Sequence, residues 1–191
     1  MAETRKHFSA LQIIQHILEL HVREGDICID ATAGRGRDTL FLSNLVGDSG
    51  HVTAFDIQQE AVDSTRELLN RNHRTNAEVM LDSHANMQNY FQPGTVSCIT
   101  FNFGWLPGGN HYIFTNPETS IQAIQQGLEL LKPDGMMTLI LYYGRETGFQ
   151  ERDALLEFLP TLDSNLYTVV EMPFVNRQNC PPIPVVIFKD K

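Results

Sequence analysis

Residues Ile27-Cys28-Ile29-Asp30-Ala31-Thr32-Ala33-Gly34-Arg35-Gly36-Arg37-Asp38-Thr39 decide the fold. Ile27 to Ala31 is a short apolar strand that carries one carboxylate, Asp30, near its end. A turn of small residues follows, and Asp38 opens a helix that runs to Val46. Gly34 and Gly36 let a backbone approach a ligand closely, and a helix start presents free N–H groups to it. The dinucleotide fingerprint G-x-G-x-x-G is incomplete, because Thr39 fills its third glycine position. Taken alone, Gly-x-Gly is also what an ordinary tight turn between strand and helix needs.

The same alternation extends outward from this stretch. Before it, Leu11, Ile14, Leu18 and Val22 form a helical stripe within Phe8 to Val22. After it come a strand His51 to Phe55 ending at Asp56, a helix Gln59 to Asn70 and a strand Ala77 to Leu81. A strand Val96 to Phe101, a helix Ser120 to Leu131, and a strand Met136 to Tyr143 continue the pattern. A helix Phe149 to Leu159 and two last strands, Leu166 to Met172 and Val185 to Phe188, complete it. Strands alternating with helices predict βαβ units, hence an α/β Rossmann-like fold with a mostly parallel sheet. In such sheets ligands bind at the carboxyl ends of the strands. The site is therefore expected just after Asp30, Asp56, Leu81, Phe101 and Tyr143.

Composition sets the outer limits. The 191 residues suit a single domain, 1–191, and 42% hydrophobic with 19% charged residues is ordinary for a folded soluble chain. The longest apolar stretch, Met136 to Tyr143, is far short of the roughly 20 residues that cross a bilayer. The start, MAETRKHFSA, has no apolar core of a secretory signal. Cys28, Cys98 and Cys180 lie far apart and form no zinc spacing, which fits a reducing cytoplasm. The net charge of −9 disfavours generic nucleic-acid binding, so any RNA partner needs a local basic patch.

Two carboxylates narrow the ligand. Asp56 stands 20 residues after Gly36, where an acid accepts hydrogen bonds from ribose hydroxyls. Dinucleotide enzymes and methyltransferases share that feature. Asp30 separates them: it would repel a pyrophosphate and attract the sulfonium and ammonium of S-adenosylmethionine. Arg35 and Arg37 read either as phosphate contacts or as solvated loop residues.

Further motifs carry a family resemblance. Asp-Ala-Thr-Ala-Gly-Arg-Gly-Arg-Asp-Thr, Phe55-Asp56-Ile57-Gln58, Asp82-Ser83-His84 and Asn102-Phe103-Gly104-Trp105-Leu106-Pro107-Gly108-Gly109 resemble a class I methyltransferase family labelled "putative rRNA methylase". Thr115-Asn116-Pro117-Glu118-Thr119, Tyr142-Tyr143-Gly144 and Asn176-Arg177-Gln178-Asn179-Cys180-Pro181-Pro182 extend the resemblance over nearly the whole chain. Members are similar to the bacterial tRNA methyltransferase that completes 5-methylaminomethyl-2-thiouridine at the wobble position. The resemblance implies seven strands with an antiparallel edge hairpin and S-adenosylmethionine as cofactor.

The resemblance also implies a site. Asp30, Ala33, Gly34, Gly36 and Asp38 would line the methionine part of the cofactor. Asp56 would hold the ribose, with Gln58 nearby, and Ser83 and His84 would border the adenine. Asn102 would be the catalytic group, its carbonyl accepting a hydrogen bond from the incoming amine. Trp105 would stack on a base, and Pro107 belongs to a turn that folds over the substrate. Tyr143 and Asn179 would complete the substrate side, with Arg35, Arg37, Arg145 and Arg177 as the basic patch for a tRNA anticodon loop. No metal is called for, and a homodimer would pool two such patches. A small-molecule or rRNA methyltransferase shares every cofactor feature, and a non-enzymatic nucleotide-binding module would need only the first loop.

Overall fold

The computed structural model describes residues 8–104 and 116–191. Its elements are α1 (Ala10–His21), β1 (Ile27–Asp30), α2 (Arg37–Val46), β2 (His51–Asp56), α3 (Gln59–Arg71) and β3 (Ala77–Leu81). β4 (Val96–Phe103), α4 (Pro117–Leu130), β5 (Leu131–Leu141), α5 (Arg145–Phe158), β6 (Tyr167–Glu171) and β7 (Ile183–Lys189) follow. The seven strands form one sheet in the order β3-β2-β1-β4-β5-β7-β6. The first five are parallel, and β7 runs antiparallel to both β5 and β6, which gives the expected edge hairpin.

Side-chain alternation explains why both faces are covered. On one face Ile29, Ile99, Phe101, Phe103, Met137 and Leu139 pack against α4, α5 and a 3-10 turn over His84–Asn89. On the other, Cys28, Cys98, Met136 and Ile140 pack against Ala10, Ile14 and Leu18 of α1 and Leu42 and Val46 of α2. Cys28 and Cys98 sit in register on neighbouring strands and are fully buried, so they serve the core. The same parity places Asp30 and Asn102 on the α1/α2 face, while Phe101 and Phe103 turn to the opposite one.

Several boundaries differ from expectation, among them α5, which starts at Arg145 rather than Phe149. α1 starts at Ala10, because Ser9 and Gln12 form a reciprocal cap: Gln12 N–H donates to Ser9 Oγ at 3.1 Å and Ser9 N–H to Gln12 Oε1 at 2.9 Å. α4 starts at Pro117, capped by Asn116, whose side-chain oxygen accepts from Thr119 N–H at 3.0 Å. β4 runs two residues further than its apolar run, to Phe103, so Asn102 lies within the strand rather than after it. Lys132-Pro133-Asp134-Gly135, between the expected helix and the expected strand, is a bulge inside β5: partners step from Val96↔Leu131 to Cys98↔Met136, with Asp134 left-handed at φ 60°.

The order of strands reverses between β1 and β4, which separates the connections leading to either edge. A crevice opens at the carboxyl ends of strands at such a switch point. Among the described residues, no helix is long and apolar enough to cross a membrane.

Candidate active site

A cavity of about 1070 Å³ opens above β1, β2 and β4. The loop after β1 forms its floor through Thr32, Ala33 and Gly34. Gly36 is not in the wall; it caps α2 at φ 77°, and a Cβ there would lie 2.9 Å from the Thr65 Cα of α3. Only glycine permits that turn and that closeness together. Thr65 Oγ1 also donates to the Gly34 carbonyl at 3.4 Å, so α3 shapes the loop from behind.

Asp56 ends β2 and lines the cavity. Its carboxylate accepts from Gly34 N–H at 3.0 Å and from Gln58 N–H at 2.9 Å. Burial nevertheless pushes its pKa up. Gln58, Phe55 and Ile57 line the same end. Ser83 and His84 close it, at the start of the 3-10 turn, where Ser83 Oγ accepts from Ala85 N–H at 3.2 Å. His84 Nδ1 lies 3.1 Å from the carbonyl of Ala31. A carbonyl only accepts, so Nδ1 carries the proton and Nε2 is left as an acceptor. Burial lowers the His84 pKa, which keeps the ring neutral at neutral pH, and Phe101 and Phe103 meet it edge-on.

Asp30 is fully buried and lies behind the cavity wall rather than in it. Thr39 Oγ1 donates to it at 2.6 Å and Thr32 N–H at 3.2 Å, which ties the loop and the first turn of α2 to β1. Burial, then the neighbouring Asp38 charge, push its pKa up to about 7. The carboxylate that does face the cavity from α2 is Asp38. Asn102 Nδ2 donates to Asp38 Oδ2 at 2.7 Å, and Asn102 N–H donates to Thr32 Oγ1 at 2.7 Å. Burial raises the Asp38 pKa, opposed first by that bond to Asn102.

The far end of the cavity is built by Asn102, Phe103 and Gly104 of β4, Asn116 and Thr119 of α4, Tyr142 and Tyr143 after β5, and Cys180 and Pro182 before β7. The Arg152 guanidinium lies over the Tyr143 ring at 4.6 Å. Arg35 and Arg37 stand at the rim, and Arg35 Nη1 pairs with Glu60 Oε1 at 2.7 Å. Arg177 and Asn179 do not line the cavity. Arg177 stacks 3.8 Å over Phe174, Asn179 and Cys180 both adopt left-handed φ, and Cys180 and Pro182 of the same segment do line the wall. Trp105 and Pro107 lie outside the described residues. Arg145 opens α5, and its side chain lies outside the described set.

Sequence reasoning missed Thr32, Asp82, Tyr142 and Thr119 as wall residues. Thr32 and Asp82 stood inside quoted motifs, directly after strands, and that position was the available signal. Asp82 organises the wall by accepting from Ser83 N–H, Asn86 Nδ2 and Tyr90 Oη at 2.7–2.8 Å.

The donor set suits a nucleoside that carries a cationic amino-acid tail. The acid at the end of β2 could take ribose hydroxyls, the apolar residues and neutral histidine could border a base, and Asp38, which forms no salt bridge among the described residues, could meet a cationic tail. This crevice, on this sheet, is that of a class I methyltransferase. Residues 52–188 match the family described as "Putative rRNA methylase", and the chain belongs to that family. A crystal structure from Clostridium thermocellum with the same description is 40% identical, with a TM-score of 0.93 over 96% of this chain and 99% of that one. A second, a methyltransferase from Streptococcus mutans in complex with SAH, is 34% identical, with a TM-score of 0.87 and the same coverage. A chloroplastic tRNA (mnm(5)s(2)U34)-methyltransferase from Arabidopsis thaliana is 31% identical over 95% of this chain and 69% of the relative.

Proposed function

We propose that the enzyme uses S-adenosylmethionine to methylate the 5-aminomethyl nitrogen of wobble 2-thiouridine in tRNA, in the cytoplasm, giving 5-methylaminomethyl-2-thiouridine. The observation that supports this reading is one cavity lined both by the residues assigned to the cofactor, Ala33, Gly34, Asp38, Asp56, Gln58, Ser83 and His84, and by Asn102, Phe103, Tyr142 and Tyr143, which are left for an acceptor. The 31% identical Arabidopsis relative, whose description names that nucleoside, supports the acceptor.

S-adenosylmethionine supplies the methyl group. Ala33, Gly34 and Asp38 would hold its methionine part, Asp56 and Gln58 its ribose, and Ser83 and His84 its adenine. At the other end the amine must offer a lone pair. Burial among Phe103, Tyr142 and Tyr143 strips water from it and favours its neutral form. The Asn102 carbonyl accepts one amine N–H and turns the lone pair toward the methyl group. Holding two reactants in line supplies several kcal/mol of the barrier reduction, and nothing here requires a covalent intermediate on the enzyme. Trp105 and Pro107 would cover the flipped base, and Arg35, Arg37, Arg145 and Arg177 would meet the phosphates of the anticodon loop. A single-stranded loop splays its base at low cost, unlike a duplex.

The test uses purified enzyme, labelled cofactor, and tRNA with or without the 5-aminomethyl group. Methylation confined to the first is expected. Equal methylation of both, or of rRNA as the family's description suggests, overturns the acceptor.

A further inference from the structure

Asp38 and Asn102 are 64 positions apart in sequence, share a hydrogen bond and both line the cavity. The amide of Asn102 has one donating and one accepting end. Only the accepting end can take an N–H from an amine. A freely rotating amide would present either end. Asp38 removes that freedom, because an ionised carboxylate only accepts and must face Nδ2, and the 2.7 Å bond shows that it does. The backbone is fixed as well, through Asn102 N–H to Thr32 Oγ1.

Asp38 has a second relation, toward the cofactor half. It lines the cavity from the first turn of α2 and forms no salt bridge among the described residues, the neighbouring Arg37 charge offsetting its burial only in part. Behind it lies a second buried carboxylate, Asp30. A partly buried charge in that setting is stabilised by a cationic ligand.

We propose that Asp38 is a positioning residue that joins the two halves of the reaction: its carboxylate orients the Asn102 amide toward the acceptor nitrogen and at the same time faces the cationic tail of the cofactor. This rests on the reading of Asn102 as the group that meets the acceptor amine. It separates two effects of one side chain. Asparagine at position 38 keeps an oxygen that can accept from Asn102 but loses the charge. Alanine loses both.

Two measurements test it. The first needs no turnover. In an NMR spectrum of 15N-labelled protein with S-adenosylhomocysteine bound, the Asn102 side-chain amide is identified by its loss in Asn102→Ala. One of its protons should lie downfield and move back in Asp38→Ala. An Asn102 amide that does not respond to Asp38→Ala overturns the proposal. The second is a double-mutant cycle on single-turnover methylation of 5-aminomethyl tRNA at saturating cofactor. Asp38→Ala should slow transfer by roughly 10- to 100-fold in the wild-type background and by no more than about twofold when Asn102 is already alanine. Losses that multiply overturn the proposal. Asp38→Asn should recover more of the rate than of the cofactor affinity, whereas a purely structural role would move both together with the melting temperature. A wild-type enzyme that transfers nothing to this tRNA overturns the acceptor reading alone, and the amide spectrum still decides the link.

Discussion

Asp30, Asp38 and Asp56 are three carboxylates around one loop, and burial raises the pKa of each. An acid with a raised folded pKa binds more protons folded than unfolded, so stability falls as pH rises from the unfolded value toward the folded one. For Asp30 that window runs from 3.8 to about 7, and a shift of this size corresponds to roughly 4 kcal/mol. The Asp30 contribution to stability should therefore be larger near pH 5.5 than near pH 8, opposed below about pH 6.5 by His84 and His21, whose buried rings resist protonation, so melting temperatures at the two pH values are compared between wild type and Asp30→Asn. Asp30→Asn should flatten that slope, because Thr39 Oγ can rotate to accept from the new amide. A slope unchanged in the variant, followed by thermal melts, assigns the effect elsewhere. At the other side of the loop, Asp56→Ala removes the acceptor of two N–H groups as well as the ribose contact. Cofactor affinity by calorimetry should fall more than about tenfold, since an unpaired polar group costs about 1–3 kcal/mol. Unchanged affinity in a folded variant would remove Asp56 from the ribose site.

The elements that carry the site were mostly legible, for a reason that also sets the limit. Apolar runs such as Met136 to Tyr143 report burial on both faces, and that alone gave the parallel sheet and its carboxyl-end crevice. What the pattern does not report is where polar side chains turn. Asp30 and Asp38 both belong to the first loop, yet Asp30 is sealed under Thr39 while Asp38 faces the cavity. The bond from Asn102 to Asp38 spans β4 and α2, so no local window contains it. Arg177 and Asn179 share a motif with Cys180 and Pro182, yet only the latter two line the wall, and the left-handed φ of Asn179 and Cys180 is not readable from the residues. Gly36 shows the opposite case, a residue whose function is conformational and readable. Gly36→Ala would put an L residue at φ 77° and a Cβ against the Thr65 Cα. Together these should cost roughly 2–4 kcal/mol, or a fall of about 5–15 °C in melting temperature. Thr65→Ala should rescue the variant only in part, because it removes Oγ1 at 2.9 Å but leaves the Cα, equally close, and the left-handed turn. Full rescue would show that the side chain, not the turn, sets the limit.

For the whole molecule, the proposed tRNA substrate sets a chain of net charge −9 against a polyanion. Screening limits distant repulsion to about 8–10 Å, so the charges at the cavity mouth decide the encounter. There Arg35 is largely spent on Glu60. Arg37 is exposed at the rim and has no ion pair among the described residues. Counterion release makes each phosphate contact visible as salt dependence. Arg37→Ala should weaken tRNA binding at low salt and reduce the slope of log affinity against log salt by about 1. Arg35→Ala should reduce it by less, since Glu60 already offsets part of its charge. The measurement is filter or fluorescence binding of tRNA at several salt concentrations. Equal slopes for wild type and Arg37→Ala would mean that no phosphate lies at this rim. The RNA would then approach from the Tyr142 and Cys180 side of the cavity, where the same experiment on Arg145→Ala and Arg177→Ala would find the lost contact.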